Sequence, residues 1–331
     1  MWGTLSQDMY TSFQIQTVIP KDLNIPLEAL PKQYIDGKLR IGGASRCKIE
    51  YIRRTNRGGY GSIYLAKRTD ASGESQEVCV KIPHDKEYSL CEEALIQWLA
   101  GKHLEHVGLG GSVPRVYDIF QYAGETRFSM SFIEGLRSIN YILKSPQPEK
   151  TLLQIVIQVC IILGFLEATI HLDHRDLKAD NLWIHAKPIN YTIQIEETTW
   201  NIVAPFQVVL LDFGFSCLGN ESGNAVVSLS DGILPRIDPC PKEGRDLFQL
   251  LSSLWSIQEL RTIIGVELSK QIEGLLAYKS KPYSNLITST LNQYWVYLLV
   301  SDAEFKHPPL HPISLLRLLS IKYPDLCSSS E

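Results

Sequence analysis

The sequence predicts an α+β fold, rich in strands at first and helical afterwards. Three observations carry this. Apolar alternation at Cys47 to Ile52 and Ile63 to Ala66 flanks a glycine-rich stretch, which reads as a hairpin, and Val78-Cys79-Val80-Lys81 follows as a further short strand. Leu90, Cys91, Ala94, Leu95, Trp98 and Leu99 then recur at helical spacing. At 331 residues the chain exceeds one average domain, and two coupled lobes suit that length.

Residues 1–45 form an N-terminal extension with Pro20, Pro26 and Pro31, moderate apolar content and no low-complexity run. It either packs on the part that follows or acts as a docking arm. Next comes Asn56-Arg57-Gly58-Gly59-Tyr60-Gly61-Ser62-Ile63, whose glycines let backbone N–H groups approach phosphates closely. On its own such a loop is an ordinary hairpin turn. Lys81 ends the next strand, where its ammonium pairs phosphates if a carboxylate holds it in place. On the helix beyond, at roughly 100° per residue, Glu92 lies beside the apolar stripe and Glu93 points nearly opposite it. Glu92 is therefore the expected partner of Lys81.

Thr151 to Leu166 is uncharged, but it is shorter than the about 20 apolar residues of a spanning helix and contains Gln154 and Gln158. It reads as a buried core helix, and no membrane span is expected. His174-Arg175-Asp176-Leu177-Lys178-Ala179-Asp180-Asn181 follows. This spacing suits phosphoryl transfer from ATP: Asp176 orients an attacking hydroxyl, Lys178 reaches the moving phosphoryl oxygens, and Asn181 holds Mg²⁺. Val208-Val209-Leu210-Leu211 reads as a buried strand ending in Asp212-Phe213-Gly214, where Asp212 offers Mg²⁺ a second hard oxygen ligand.

These parts in this order resemble the eukaryotic-type protein kinases over roughly Cys47 to Tyr323. The resemblance implies a bilobal fold, with an N-lobe at 46–130, a C-lobe at 131–323 and a short tail at 324–331. It also implies ATP as cosubstrate with Mg²⁺, and a protein substrate accepting phosphate on Ser or Thr, since Lys178 matches the serine/threonine pattern. Met130 is then the gatekeeper behind the adenine, and Ser131, Phe132 and Ile133 offer backbone groups to its edge. Asn56, Gly58, Gly59, Gly61, Ile63, Cys79 and Trp183 line the nucleotide, and Asp246 opens a buried helix that braces the catalytic loop. Asn56 replaces the first glycine, Cys79 the usual alanine, and Trp183 the usual leucine beneath the adenine.

Asn181 and Asp212 stand further apart than in most of the family. Tyr191 to Ile195 and Thr199 to Val203 alternate across this gap, so an inserted hairpin is expected at about 188–205. This insertion, Asp173 before His174 and the missing Ala-Pro-Glu lean toward a haspin-like branch or a divergent viral relative. Arg175 is expected to receive a phosphoserine from Ser216, Ser222, Ser228 or Ser230, or a fixed acid such as Glu221 or Asp231. Trp183 and the short Lys81–Glu92 connection motivate the alternative of a pseudokinase scaffold; a small-molecule kinase of the same fold fits less well.

A net charge of −4 and a pI near 6.1 argue against a general nucleic-acid binder. The seven cysteines include no C-x-x-C pair, and the expectation is reduced, mostly buried thiols in an intracellular protein, cytoplasmic or nuclear. Met1 to Tyr10 shows no apolar leader core. His103 with His106 and His171 with His174 lack the further ligands that zinc requires. Nothing in the residues specifies an oligomeric state.

Overall fold

The computed structural model describes residues 32–35, 38–39, 48–58, 61–70, 72–85, 90–122, 125–220, 222–229, 238–283, 287–288 and 292–330. Most of the N-terminal extension, with Gly59, Glu221, Ser230 and Asp231, lies outside them. The chain divides into two compact units, residues 1–103 with 113–134, and residues 104–112 with 135–331. The division thus falls just after Glu134, and Leu104–Ser112 goes with the second unit.

The first unit is built on a seven-stranded sheet. Its strands are β1 (Lys32–Ile35), β2 (Lys38–Leu39), β3 (Lys48–Arg57), β4 (Gly61–Thr69), β5 (Ser75–Pro83), β6 (Val116–Tyr122) and β7 (Glu125–Ser131), in the order β2-β1-β6-β7-β5-β4-β3. All pairings are antiparallel except that of β1 with β6. A piece of the N-terminal extension therefore joins the sheet as a strand.

Val78 and Val80 on β5 pack with Ala66 and Phe120, while Cys79 and Lys81 point to the other face, as strand alternation requires. The helix α1 (Cys91–His106) is buried nearly all round from Cys91 to Ala100. Asp118, wholly buried, accepts hydrogen bonds from Arg68 at 2.7 and 3.0 Å and from Ser129 at 2.5 Å. That satisfies a charge too costly to bury alone.

The second unit is mixed, with helices at its core. It contains β8 (Arg137–Ser138), α2 (Pro148–Ile170), β9 (Leu172–Asp173), β10 (Leu182–His185), β11 (Ile189–Ile195), β12 (Thr198–Ala204), β13 (Gln207–Leu210), β14 (Cys217–Gly219) and β15 (Ala225–Ser228). Beyond these come α3 (Arg245–Ser256), α4 (Gln258–Ile263), α5 (Val266–Leu275), β16 (Ala277–Tyr278), β17 (Lys281–Pro282), α6 (Asn292–Ser301), α7 (Pro312–Lys322) and β18 (Cys327–Ser330).

The helix α2 is longer than the uncharged run suggests, because it starts on Pro148 with Glu149 in its first turn. Its 23 residues are long and apolar enough to cross a membrane, yet 83% of its most apolar stretch is buried inside the protein. Gln158 clips it to β13, donating to the Phe206 carbonyl at 3.2 Å and accepting from the Val208 amide at 2.9 Å.

The inserted hairpin is present as β11 and β12, paired in register from Ile189↔Ala204 to Ile195↔Thr198. Its two-residue turn places Glu196 at φ 54°. The C-terminal residues join it as β18 on β12.

Candidate active site

In the first unit, Lys81 and Glu93 form a buried ion pair at 2.5 Å, their side chains 9% and 2% exposed. The expected partner was Glu92, which is only half-buried. The stripe rule assumes one solvent-facing side, and α1 has none over its first ten residues. Glu93 and Gln97 share a face one turn apart, and both reach the sheet: Gln97 donates to the Pro114 carbonyl at 2.8 Å and to the Met130 sulfur at 3.4 Å.

Gly61 starts β4 opposite Pro83, and its neighbour Ile63 pairs with Lys81. A Cβ on Gly61 would stand 2.7 Å from the Ile82 carbonyl oxygen, so only glycine allows the strand to close there. Gly58 donates to the Gly61 carbonyl at 2.8 Å, and the Asn56 side chain accepts from the Arg57 amide at 2.7 Å. Cys79 pairs with Leu65 on one side and Met130 on the other, and burial pushes its thiol up to about 11. The Ser131 amide is committed to the Arg115 carbonyl at 2.8 Å, while Phe132 and Ile133 lie beyond the strand.

In the second unit, β9 leads into the loop His174–Lys178. The first residues of α3 hold this loop. Asp246 accepts from the backbone amides of His174 and Arg175, each at 2.7 Å; Gln249 donates to the Arg175 carbonyl at 2.8 Å; and Ser253 accepts from the Ala179 amide at 3.0 Å. These three side chains lie on one helical face. Burial, and then the neighbouring Asp173 carboxylate, raises Asp246 well above the usual carboxylate range. The imidazole of His174, lowered by burial, donates from Nε2 to the Leu211 carbonyl at 3.0 Å and lies 5.0 Å from the Phe213 ring.

This bracing presents Asp176. Lys178 donates to both of its carboxylate oxygens, at 3.0 and 2.8 Å, and the Asn181 amide nitrogen donates to its Oδ2 at 3.0 Å and to its carbonyl at 2.8 Å. Asn181 immediately precedes β10, which pairs antiparallel with β13, so the strands bring Asn181 beside the residues after Leu210. The Leu211 amide bonds the Asn181 carbonyl at 2.9 Å. Asp212 follows at φ 62°, exposed, while Phe213 is fully buried. Arg175, at φ 64°, is another non-glycine in left-handed backbone within this site.

Trp183 lies on β10 between Val209 and Ser138, half-buried, and its indole donates to the Asp180 carbonyl at 3.0 Å.

The Arg175 side chain lies in a buried charge cluster that sequence reasoning missed. Its Nη1 donates to Ser228 Oγ at 2.6 Å, and its Nη2 stands 3.3 Å from Asp238, which also pairs with Arg245 at 2.7 Å and with Lys242. Arg245 further meets Asp173 at 3.3 Å. All six charged groups, Asp173, Arg175, Asp238, Lys242, Arg245 and Asp246, are buried. Asp238 is thus a fixed acid on Arg175; the expected Glu221 and Asp231 lie outside the described residues, and Ser216 is wholly buried. No sequence spacing marks Asp238; an acid a few residues before Lys242 and Arg245 was the one available sign.

Cys217 and Cys240 form a disulfide, contrary to the expectation of reduced thiols. Among the described residues, Cys79, Cys91, Cys160 and Cys327 carry no disulfide. No protein-family model matches this chain, and no curated protein matches it.

Proposed function

We propose that this chain is an ATP-dependent protein kinase that transfers the γ-phosphoryl group to Ser or Thr hydroxyls of protein substrates. The observation that carries the reading is the Asp176 carboxylate fixed between Lys178 and Asn181, on a loop held by three α3 side chains. Phosphoryl transfer needs little covalent help from the protein; it needs positioning and charge neutralisation.

Asp176 orients the incoming hydroxyl and takes its proton as the new O–P bond forms and the bond from the γ-phosphorus to the bridging oxygen breaks, with ADP leaving. Lys178, which donates to the Asp176 carboxylate, follows charge onto the phosphoryl oxygens. In the first unit Lys81, its charge balanced by Glu93, pairs the α- and β-phosphates, and the Gly58–Gly61 turn brings backbone against them.

The donor set fits Mg²⁺. Asp212 offers an exposed carboxylate, and Asn181 spends its amide nitrogen on Asp176, which leaves its hard amide oxygen for a cation. Held there, the ion would supply charge neutralisation to the nucleotide's phosphates. A scaffold without transfer has no physical need for this division of the Asn181 amide.

The test is incubation of the purified chain with labelled ATP, Mg²⁺ and a mixed protein extract, beside a Lys81→Met control. Label on phosphoserine or phosphothreonine with the wild type alone supports the reading; equal label in both, or none, overturns it.

A further inference from the structure

The disulfide is placed where it touches the proposed catalytic machinery from two sides. Cys217 lies on β14, directly opposite Asp173 of β9, and Asp173 is the residue before His174. Cys240 lies two residues after Asp238, whose carboxylate meets Arg175 of the catalytic loop. The bridge therefore closes the chain between these points into a loop of sequence separation 23, both ends of which lie against the catalytic loop. The approach is close: a Cβ on Gly219 would stand 1.7 Å from the Cys240 carbonyl oxygen. Only glycine permits it.

Three features separate this bridge from a general stapling framework. Four other described cysteines carry no disulfide, whereas small secreted domains pair theirs densely. Both sulfurs are fully buried, so a reductant reaches them only when the segment lifts. The reduced form also has a place to go, because Cys240 Sγ lies 3.5 Å from the His171 carbonyl, an acceptor for a thiol S–H.

We propose that the Cys217–Cys240 bridge is a reversible redox clamp, which in its oxidised form holds the segment after Asp212 on the catalytic loop and thereby sustains phosphoryl transfer. Its effect on transfer rests on the kinase reading; the clamp itself does not. To open it, a thiolate of a dithiol reductant attacks one sulfur of the bridge. The S–S bond breaks, the other sulfur leaves as a thiolate and takes a proton, and the second thiol of the reductant resolves the mixed disulfide. The protein gains two electrons and two protons, and the reductant leaves as its own disulfide. Closing is the reverse, with a small-molecule disulfide such as oxidised glutathione as the two-electron acceptor.

The experiment uses the full chain, equilibrated with dithiothreitol or with oxidised glutathione. Peptide mass spectrometry locates the cross-link, and amide hydrogen exchange follows peptides covering 217–229 and 238–242. The clamp predicts a Cys217–Cys240 cross-link in the oxidised sample. Closing a loop of this length also predicts exchange roughly ten- to a hundredfold slower there than in the reduced sample, with the β11–β12 hairpin unchanged. Cys217→Ala with Cys240→Ala should exchange at the reduced rate under both conditions; if that variant does not fold, the two wild-type samples decide, with the hairpin as internal reference. No cross-link, or equal exchange in both states, overturns the clamp.

In parallel, transfer to a protein extract should fall at least tenfold on reduction and return on reoxidation. Transfer unchanged while the segment opens overturns the regulatory role. A chain silent in both states sinks the kinase reading, and exchange still decides the clamp.

Discussion

Lys81 and Asp176 are held in different ways. In the first unit, Lys81 meets Glu93 in a buried ion pair across a sheet–helix contact. In the second, Asp176 stands on a loop tied by Asp246, Gln249 and Ser253, with five further buried ionisable groups around it. A buried pair that loses one member leaves one charge uncompensated, whereas a network that loses one member leaves several. The difference is also one of reach: Lys81 is met from 12 positions along the chain, the loop from 71 to 74.

The largest effect should come from the network. Asp238→Ala leaves Arg175, Lys242 and Arg245 short of a carboxylate in the interior, and should cost about 3–5 kcal/mol of folding free energy. Denaturant unfolding should show the midpoint fall with its slope unchanged; a loss within about 0.5 kcal/mol would mean that water or relaxation screens the cluster.

At the Lys81–Glu93 pair the cost should appear in chemistry as well. Glu93→Gln should lower phosphoryl transfer by about tenfold or more and cost about 1–3 kcal/mol of stability, since it leaves the Lys81 ammonium buried without that carboxylate, while Glu92→Gln should leave transfer within about twofold. Steady-state kinetics of the two variants decide between the carboxylates. Loss in Glu92→Gln alone would return the role to Glu92, and equal loss in both would contradict a role for Glu93 alone.

The smallest effect is a pH dependence away from both sites. His311, at the start of α7, lies 3.2 Å from Glu167 of α2, and this hydrogen bond raises its pKa above the ordinary histidine value. Its stabilisation is therefore fully present below the unfolded-state pKa of about 6.5 and lost as pH rises through the higher folded value. Thermal unfolding should show about 1 kcal/mol or less lost across that window, and Glu167→Gln should flatten the profile. An unchanged profile in that variant would remove the pair as its cause.

Much of the second site was legible because its parts are local. Asp176, Lys178 and Asn181 lie within one turn-rich stretch, and of the β10–β13 pairing that brings Asn181 beside the residues after Leu210, the Val208–Leu211 run was visible in the sequence. The inserted hairpin was legible from alternation alone. Glu93 was not, because α1 is buried on every side and an apolar stripe no longer marks the inward face. Asp238 on Arg175 and Ser253 on Ala179 were not, because those partners lie far away in sequence and no spacing records them. The disulfide escaped for a related reason: an odd cysteine count without C-x-x-C says nothing of which two sulfurs the fold brings together.

The central claim concerns what Asp176 does, and single-turnover transfer in Asp176→Asn tests it most directly, with ATP affinity measured on the same preparation. Transfer reduced by about 10²- to 10⁴-fold with ATP affinity retained is the predicted result. Transfer at the wild-type rate in the variant would contradict the account.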